Sequence, residues 1–285
     1  MNSHTTRTET ERSAPVVTIC ICHYNRLSKL KSTIEHLREN TNEEYKLKIF
    51  NDGYVDGEIR EYLSGLEEDR GATVIYSEKN VGPVAGRKKL LTDIDTPFTM
   101  TLDDDMYVDQ NWLTNAIDIF QSNENIGLIG YLFSSTTDKS ITDTREISVE
   151  NNVLRLKNRR LTKEDNNSEF TTHTIVDEVP TGAMIFRSEV LNIFEFDPNY
   201  KIGFGDIDKT LQLQQSKWGQ AICMENQFTH DKKTKQTEYT KGGRYLDLSE
   251  SYRYFIEKWN IRYPLYQHLK FKYIYNIYGR SRNFI

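Results

Sequence analysis

The chain of 285 residues lacks several things, and each absence removes a class of protein. Its longest apolar stretch, Val16 to Cys22, falls far short of the ~20 residues a helix needs to cross a bilayer, so no membrane span is expected. Cysteine is scarce. Cys20 and Cys22 alternate within one apparent strand and so share a face, and Cys223 sits in another apolar run; this excludes a disulfide framework and points to buried free thiols in a reducing compartment. The first fifteen residues have no apolar centre and resemble neither a signal peptide nor a lipidation site; residues 1–14 are expected to be a disordered leader on a cytoplasmic protein. Positive charge is missing from the body. The formal net charge is −5, yet residues 253–285 hold seven Lys/Arg against Glu257 alone, which leaves the first 252 residues with 30 Lys/Arg, 41 Asp/Glu and a charge of −11. Such a body offers no cationic face to a phosphate backbone, and no nucleic-acid partner is expected.

What remains is a composition of 37% hydrophobic and 28% charged residues, enough apolar material for a sizeable core in one large domain or two small ones. From Val16 onward strand-like and helix-like segments alternate, the pattern of βαβ units on a largely parallel sheet. Strands are expected at 16–24, 45–52, 72–78, 98–105 and 126–133, with helices at 27–37, 59–66, 84–94 and 112–120. Residues 134–175 break the pattern, and only a short hairpin through Asn151-Asn152 stands out there. Strands resume at 179–186 and 221–226, with a loop expected over 196–208, a helix over 209–218 and another from Leu246 to Trp259. In the tail, Leu265, Leu269, Tyr273 and Ile277 fall four apart, a stripe expected to pack a C-terminal helix on the body or on a second subunit. The competing reading of this basic, aromatic tail is contact with an anionic membrane or a lipid-linked acceptor.

Ligands of open α/β sheets bind beyond the carboxyl ends of the strands. Three of the expected ends carry polar clusters: His23-Tyr24-Asn25, Asn51-Asp52-Gly53 and Asp103-Asp104-Asp105. Three adjacent carboxylates raise one another's pKa, and a divalent cation is the simplest remedy. On a persisting strand Asp103 and Asp105 share a side while Asp104 points away, so the outer pair can share one Mg²⁺ or Mn²⁺ with a bound diphosphate. The bland alternative is a solvated acidic turn.

On these residues the chain resembles glycosyltransferase family 2, the nucleotide-sugar-dependent transferases of the GT-A fold, over about residues 15–260. VVTICICHYNR, FNDGYVDG, NVGPVAGR, LDDD, TGAMIFR and GFGDIDKTLQLQQSKW stand in the family's order. The resemblance implies an α/β, Rossmann-like GT-A fold with a mostly parallel central sheet and helices on both faces over residues 15–246. Residues 15–133 would be the nucleotide-sugar-binding half, 134–246 the acceptor and catalytic half, and 247–285 a helical C-terminal extension. It further implies metal-dependent, inverting transfer from a nucleoside diphosphate sugar, expected to be a UDP-sugar, to a glycan, lipid-linked, protein or small-molecule acceptor.

Residue by residue, the resemblance assigns Tyr24, Asn25, Asp52, Gly82, Arg87, Asp103, Asp104 and Gly182 to the donor, with Asp52 accepting the N3–H of the base. The family's acidic residue before Asp52 is Asn51 here. Asp105 and His230 fall to the metal, and imidazole suits Mn²⁺ better than Mg²⁺. Asp206 is the expected general base, with Gly205 where the family has Glu; Asp208 is its reserve, although it also fits a helix cap. The polar stretch from Asp231 to Tyr245 is a candidate lid carrying Lys232, Lys233 and Arg244. Two other readings compete. A sugar-phosphate nucleotidyltransferase would carry a Gly-rich basic loop after the first strand, where CHYNRLSKL has no glycine; a non-catalytic nucleotide-sugar-binding protein would have little reason to retain Asp105, Asp206 and His230 together.

Overall fold

The computed structural model describes residues 14–135, 142–163, 172–231 and 241–282. The chain opens with three strand–helix units: β1 (Val17–His23) and α1 (Leu27–Asn40), β2 (Tyr45–Asn51) and α2 (Gly57–Arg70), β3 (Thr73–Tyr76) and α3 (Pro83–Leu90), followed by β4 (Phe98–Asp103). These strands run parallel in the order β3-β2-β1-β4. Side-chain alternation assigns the two faces. Val17, Ile19 and Ile21 enter the main core with Leu30, Ile34 and Leu37 of α1, whereas Cys20 points the other way, onto Phe50 and Leu90 beneath α3. Local chemistry marks the helix ends: the Asp56 carboxylate accepts the Ile59 amide at 2.8 Å to start α2, and Gly71 in the left-handed region (φ 63°) ends it.

A short strand β5 (Met106–Tyr107) and α4 (Trp112–Ser122) then lead to β6 (Ile126–Ser135). The hairpin is longer than expected: β7 (Thr142–Glu150) and β8 (Val153–Leu161) pair along their whole length as a separate two-stranded sheet. They turn through Asn151 and Asn152 at φ 49° and 60°. Then follow β9 (His173–Val176), β10 (Ala183–Arg187), a 3-10 turn (Ser188–Asn192), α5 (Gly205–Leu213), β11 (Gly219–His230), α6 (Lys241–Trp259) and α7 (Leu265–Arg282). Among the described residues the main sheet has nine strands in the order β3-β2-β1-β4-β10-β6-β11-β5, with β9 also on β11. α1, α2 and α4 cover one face; α3, the 3-10 turn and the end of α5 cover the other.

Several expectations shift. The helix expected at 209–218 is α5, which starts at Gly205, so Asp206 and Asp208 stand in its first turn, where the helix dipole favours acids. β11 runs past the expected end at 226 as far as His230. β10 is antiparallel to both β4 and β6, so the proposed halves 15–133 and 134–246 share one sheet, and the boundary at 246/247 falls inside α6. Most of the expected leader, residues 1–13, lies outside the described residues. The tail presents the opposite face from the one expected. Leu265, Leu269 and Tyr273 are 68%, 51% and 67% exposed, while Phe271 joins Phe204, Tyr252, Phe255 and Tyr263 in an aromatic cluster. The four-residue period was real, but ring–ring packing chose the face that carries Phe271. The side chain of Ile277 lies outside the described residues. Between α6 and α7 the chain returns to the hairpin, where the Leu154 amide donates to the Arg262 carbonyl at 2.8 Å and the Arg262 amide to the Asn152 carbonyl at 2.9 Å.

Candidate active site

β4 ends at Asp103, and Asp104 and Asp105 turn the chain into β5, which pairs with the end of β11 through Met106 and His230. This register brings His230 beside Asp105, with Nε2 3.7 Å from Oδ1. The next amide, of Asp231, donates to the Asp105 carbonyl at 2.9 Å. From the start of α1, Arg26 donates to Asp105 Oδ2 at 2.7 Å and grips Asp104 with its other terminal nitrogen. Asp104 also meets His23 Nδ1 at 2.9 Å, and Thr33 donates to its carbonyl at 2.9 Å. At 1% exposure Asp104 lies beneath the site and anchors it, rather than facing a donor as expected.

Asp103 faces a different cation, with Oδ1 2.5 Å from Arg87 Nη2. Burial pushes its carboxyl above the usual range, Arg87 draws it down, and the neighbouring Asp105 raises it again. Its amide donates to the Gly182 carbonyl at 2.8 Å, and a Cβ at residue 182 would stand 3.0 Å from Asp103 Oδ2. A glycine is what lets β10 begin so close to the carboxylate. The acidic triplet is thus balanced by Arg26 and Arg87, two arginines from different elements.

Asp105 Oδ1 and His230 Nε2, 3.7 Å apart, would be the two protein groups that hold one divalent cation here. No group of three His, Cys, Asp or Glu around a common centre occurs among the described residues. This donor set suits Mg²⁺ or Mn²⁺ completed by water and substrate phosphates, and does not suit a cage built from protein alone.

Asp52 is 4% exposed, and its two oxygens accept the Val81 amide at 2.7 Å and the Gly82 amide at 2.9 Å. It holds the loop that opens α3, a task its expected contact with a base did not anticipate. Gly53, at φ 85°, crosses under that loop so tightly that a Cβ would sit 2.2 Å from the Lys79 carbonyl carbon. Tyr24 packs edge-on against Tyr54 with centroids 6.1 Å apart, and Asn25 takes a left-handed conformation (φ 45°) before α1. Tyr24, Asn25, Asp52 and Gly82 therefore gather at the ends of β1 and β2, as the sequence order requires.

Asp206, in the first turn of α5, is half-buried and lies close enough to Arg87 for its charge to be felt there. Its charge acts on Arg87, Arg145, Glu178 and Lys209. Asp208 has a different life. It is 1% exposed and accepts from Tyr200 Oη (2.9 Å), Gln212 Nε2 (2.6 Å), Lys258 Nζ (2.9 Å) and Trp259 Nε1 (2.7 Å), which makes it the anchor of α6 and corrects its reading as a reserve base. Lys209 is buried beneath Asp206, donates to the Val179 carbonyl, and is pushed down to about 8 by burial. Arg145 of β7 pairs with buried Glu178, Nε to Oε2 at 2.5 Å, and so brings the hairpin to this side of the cleft. Of the candidate lid, Lys232, Lys233 and the Arg244 side chain lie outside the described residues.

The sequence reading gave no role to Arg26, Arg145, Glu178 and Lys209, and named His23 only as part of a polar strand end. A signal existed for Arg26, because it follows the end of β1 by three residues and the triplet needed counter-charge from protein as well as from metal. Arg145 and Glu178 carried none.

The sequence pattern of glycosyl transferase family 2 matches residues 18–194. The teichoic acid poly(glycerol phosphate) polymerase of Staphylococcus epidermidis is 25% identical over 124 residues, which are 43% of this chain and 17% of that protein. Among solved structures, GalNAc-T7 with UDP, GalNAc and Mn²⁺ matches with a TM-score of 0.65 and 14% identity over 92% of this chain and 56% of its own. S. aureus TarS 1-349 in complex with UDP-GlcNAc matches with a TM-score of 0.58 and 14% identity, over 85% of this chain and 66% of that one. The chain therefore spans less than two thirds of each of these relatives, and the structural likeness establishes a common GT-A fold.

Proposed function

Because the chain belongs to glycosyl transferase family 2, we propose that it moves a sugar from a nucleoside diphosphate sugar to an acceptor hydroxyl, with inversion at the anomeric carbon. One observation carries this reading. At the carboxyl ends of β1, β4 and β11 an Asp–His pair spaced for a cation stands beside Asp103, and Arg87, which holds Asp103, also feels the half-buried carboxylate of Asp206. A UDP-sugar is the preferred donor, supported by the structures of GalNAc-T7 with UDP, GalNAc and Mn²⁺ and of TarS in complex with UDP-GlcNAc.

In this reading Tyr24, Asn25, Asp52 and Gly82 line the nucleoside end and Asp103 the sugar–diphosphate end. Asp105 and His230 would hold Mn²⁺ or Mg²⁺, which when bound supplies charge stabilisation to the departing diphosphate. Asp206 takes the proton of the acceptor hydroxyl as it attacks, the work of a positioned general base. Arg87 fixes Asp103 and keeps a cation between the two carboxylates. Arg145 and the hairpin border Asp206, so the acceptor, whether glycan, lipid-linked, protein or small molecule, is expected to enter from that side.

The test is a panel of UDP-, GDP- and dTDP-sugars with Mn²⁺ and no acceptor, read by thermal shift and by slow release of nucleoside diphosphate. One donor should raise the melting temperature and be hydrolysed slowly, both effects disappearing with chelator. Absence of a shift and of hydrolysis across the panel would count against the transferase reading; full hydrolysis in excess chelator would remove the metal from it.

A further inference from the structure

Among the described side chains of α7, one face is committed to the body. Phe271 packs against Tyr252 and Tyr263 with centroids 4.7 Å and 5.8 Å away, and Tyr252 Oη hydrogen-bonds His268 Nδ1 at 3.1 Å. The opposite face carries Leu265, Tyr266, Leu269 and Tyr273, exposed by 68%, 80%, 51% and 67%. Their spacing of i, i+1, i+4 and i+8 confines them to one arc of roughly 100° on an α-helix. Lys272 borders that arc on one side and Lys270 on the other, and both are exposed. From Lys258 to the end the sequence has six Lys/Arg and no Asp/Glu, against the strongly acidic body.

The charge pattern narrows the choice of occupant. The other large exposed hydrophobics among the described residues, Tyr54, Tyr76, Val149, Ile175, Ile193 and Tyr245, stand singly on separate elements, so none of those elements presents a second stripe to match that of α7. Face-to-face pairing of two α7 helices would bring four lysines together. An anionic lipid surface meets both demands, apolar depth for the stripe and negative charge for its borders. No helix among the described residues is long and apolar enough to cross a membrane, so the contact is one of lying on the surface.

We propose that α7 docks the protein on anionic lipid, with Leu265, Tyr266, Leu269 and Tyr273 entering the boundary between headgroups and acyl chains and Lys270 and Lys272 meeting the headgroups. The acidic body is repelled by the same surface, which leaves the tail as the contact. This inference stands apart from the transferase reading and uses none of its residues.

The test is co-sedimentation of the full chain with vesicles of phosphatidylcholine alone and of phosphatidylcholine mixed with phosphatidylserine. Binding to the mixed vesicles only, weakening with added salt, is the expected result. Lys270→Gln/Lys272→Gln should lower partitioning roughly 25-fold, from roughly fivefold for each charge near the surface. Leu265→Ser/Tyr266→Ser/Leu269→Ser/Tyr273→Ser should abolish binding; circular dichroism and melting check its fold, and the lysine variant decides the matter if that fold is lost. Absence of wild-type binding, or equal binding by the lysine variant, overturns the proposal. So does vesicle-free dimerisation that the serine substitutions abolish, since a second copy would then cover the face.

Discussion

Asp206 and Asp208 are two residues apart on one helix, yet substituting them should produce opposite phenotypes. Asp208→Ala removes the acceptor shared by Tyr200, Gln212, Lys258 and Trp259. Losing one partner of a buried pair costs about 3–5 kcal/mol when the other charge is stranded. Lys258 is not stranded, because its ammonium keeps Asp197 at 2.9 Å and its side chain is 25% exposed. The loss then comes mainly from the hydroxyl of Tyr200, itself 1% exposed, at about 1–3 kcal/mol for a buried group left unpaired, with a smaller share from the partly buried indole N–H of Trp259. A total near 3 kcal/mol, at about 2–3 °C per kcal/mol for a chain of this size, predicts a melting point lower by roughly 6–9 °C. Turnover per folded molecule should be nearly unchanged. Asp206→Asn should do the reverse, melting within about 1–2 °C of the parent while turnover drops about 10²–10⁴-fold. Calorimetry and nucleoside diphosphate release at saturating donor and Mn²⁺ supply the two readings. A normal melting point for Asp208→Ala, or normal turnover for Asp206→Asn, would refute the division of labour.

Asp105→Ala and His230→Ala should each raise the Mn²⁺ concentration needed for half-maximal donor-dependent stabilisation by about tenfold or more, followed by thermal shift; an unchanged titration would show that the metal is held elsewhere. Lys209 is pushed down to about 8 from 10.5, so between pH 8 and 9 the folded chain gives up a proton that the unfolded chain keeps. Lys209 therefore contributes about 1 kcal/mol of stability over that interval, read as the growing difference in urea melts between the parent and Lys209→Met, which lacks it. The cysteines work in the opposite direction and begin to do so in the same interval, because burial lifts Cys20 to about 12 and Cys223 to about 11 and the unfolded thiols, at about 9, ionise first; comparison of parent and variant cancels that contribution. Gly53→Ala should cost about 2–4 kcal/mol, from the positive φ and the backbone of Lys79 and Asn80 in the way, and should raise the donor KM; chemical denaturation at the parent's midpoint would expose an error.

The sheet and its faces were legible because their signals are local. Alternation in VTICICH fixed which side Cys20 takes, and an apolar run ending in Asp103-Asp104-Asp105 marked a strand end that carries chemistry. The start of α5 was misread because Gly205 and two aspartates look like loop, whereas in the fold Asp208 is consumed by α6, which lies about fifty residues away in sequence. Arg87 was found through its motif; Arg145 was not, since nothing near it in sequence announces that β7 will fold beside Asp206. The tail shows the limit of periodicity. A four-residue spacing locates a stripe on a helix, and only the tertiary fit of Phe271 among Phe204, Tyr252 and Tyr263 decides which side is inside.

The hydrogen bonds that stitch Arg262 to Asn152 and Leu154 bear on how this protein can be re-engineered. They close a circuit from the cleft through Arg145 and the hairpin into the tail and back, by way of Lys258 and Trp259, to Asp208 under the same cleft. A graft that exchanges the hairpin alone would break the circuit at Arg262, and a deletion of the tail would break it at Asp208. Segments that close on each other in this way are natural units of exchange. A chimera intended to change the acceptor should carry hairpin, α6 and α7 across as one cassette, leaving the β1–β4 half untouched.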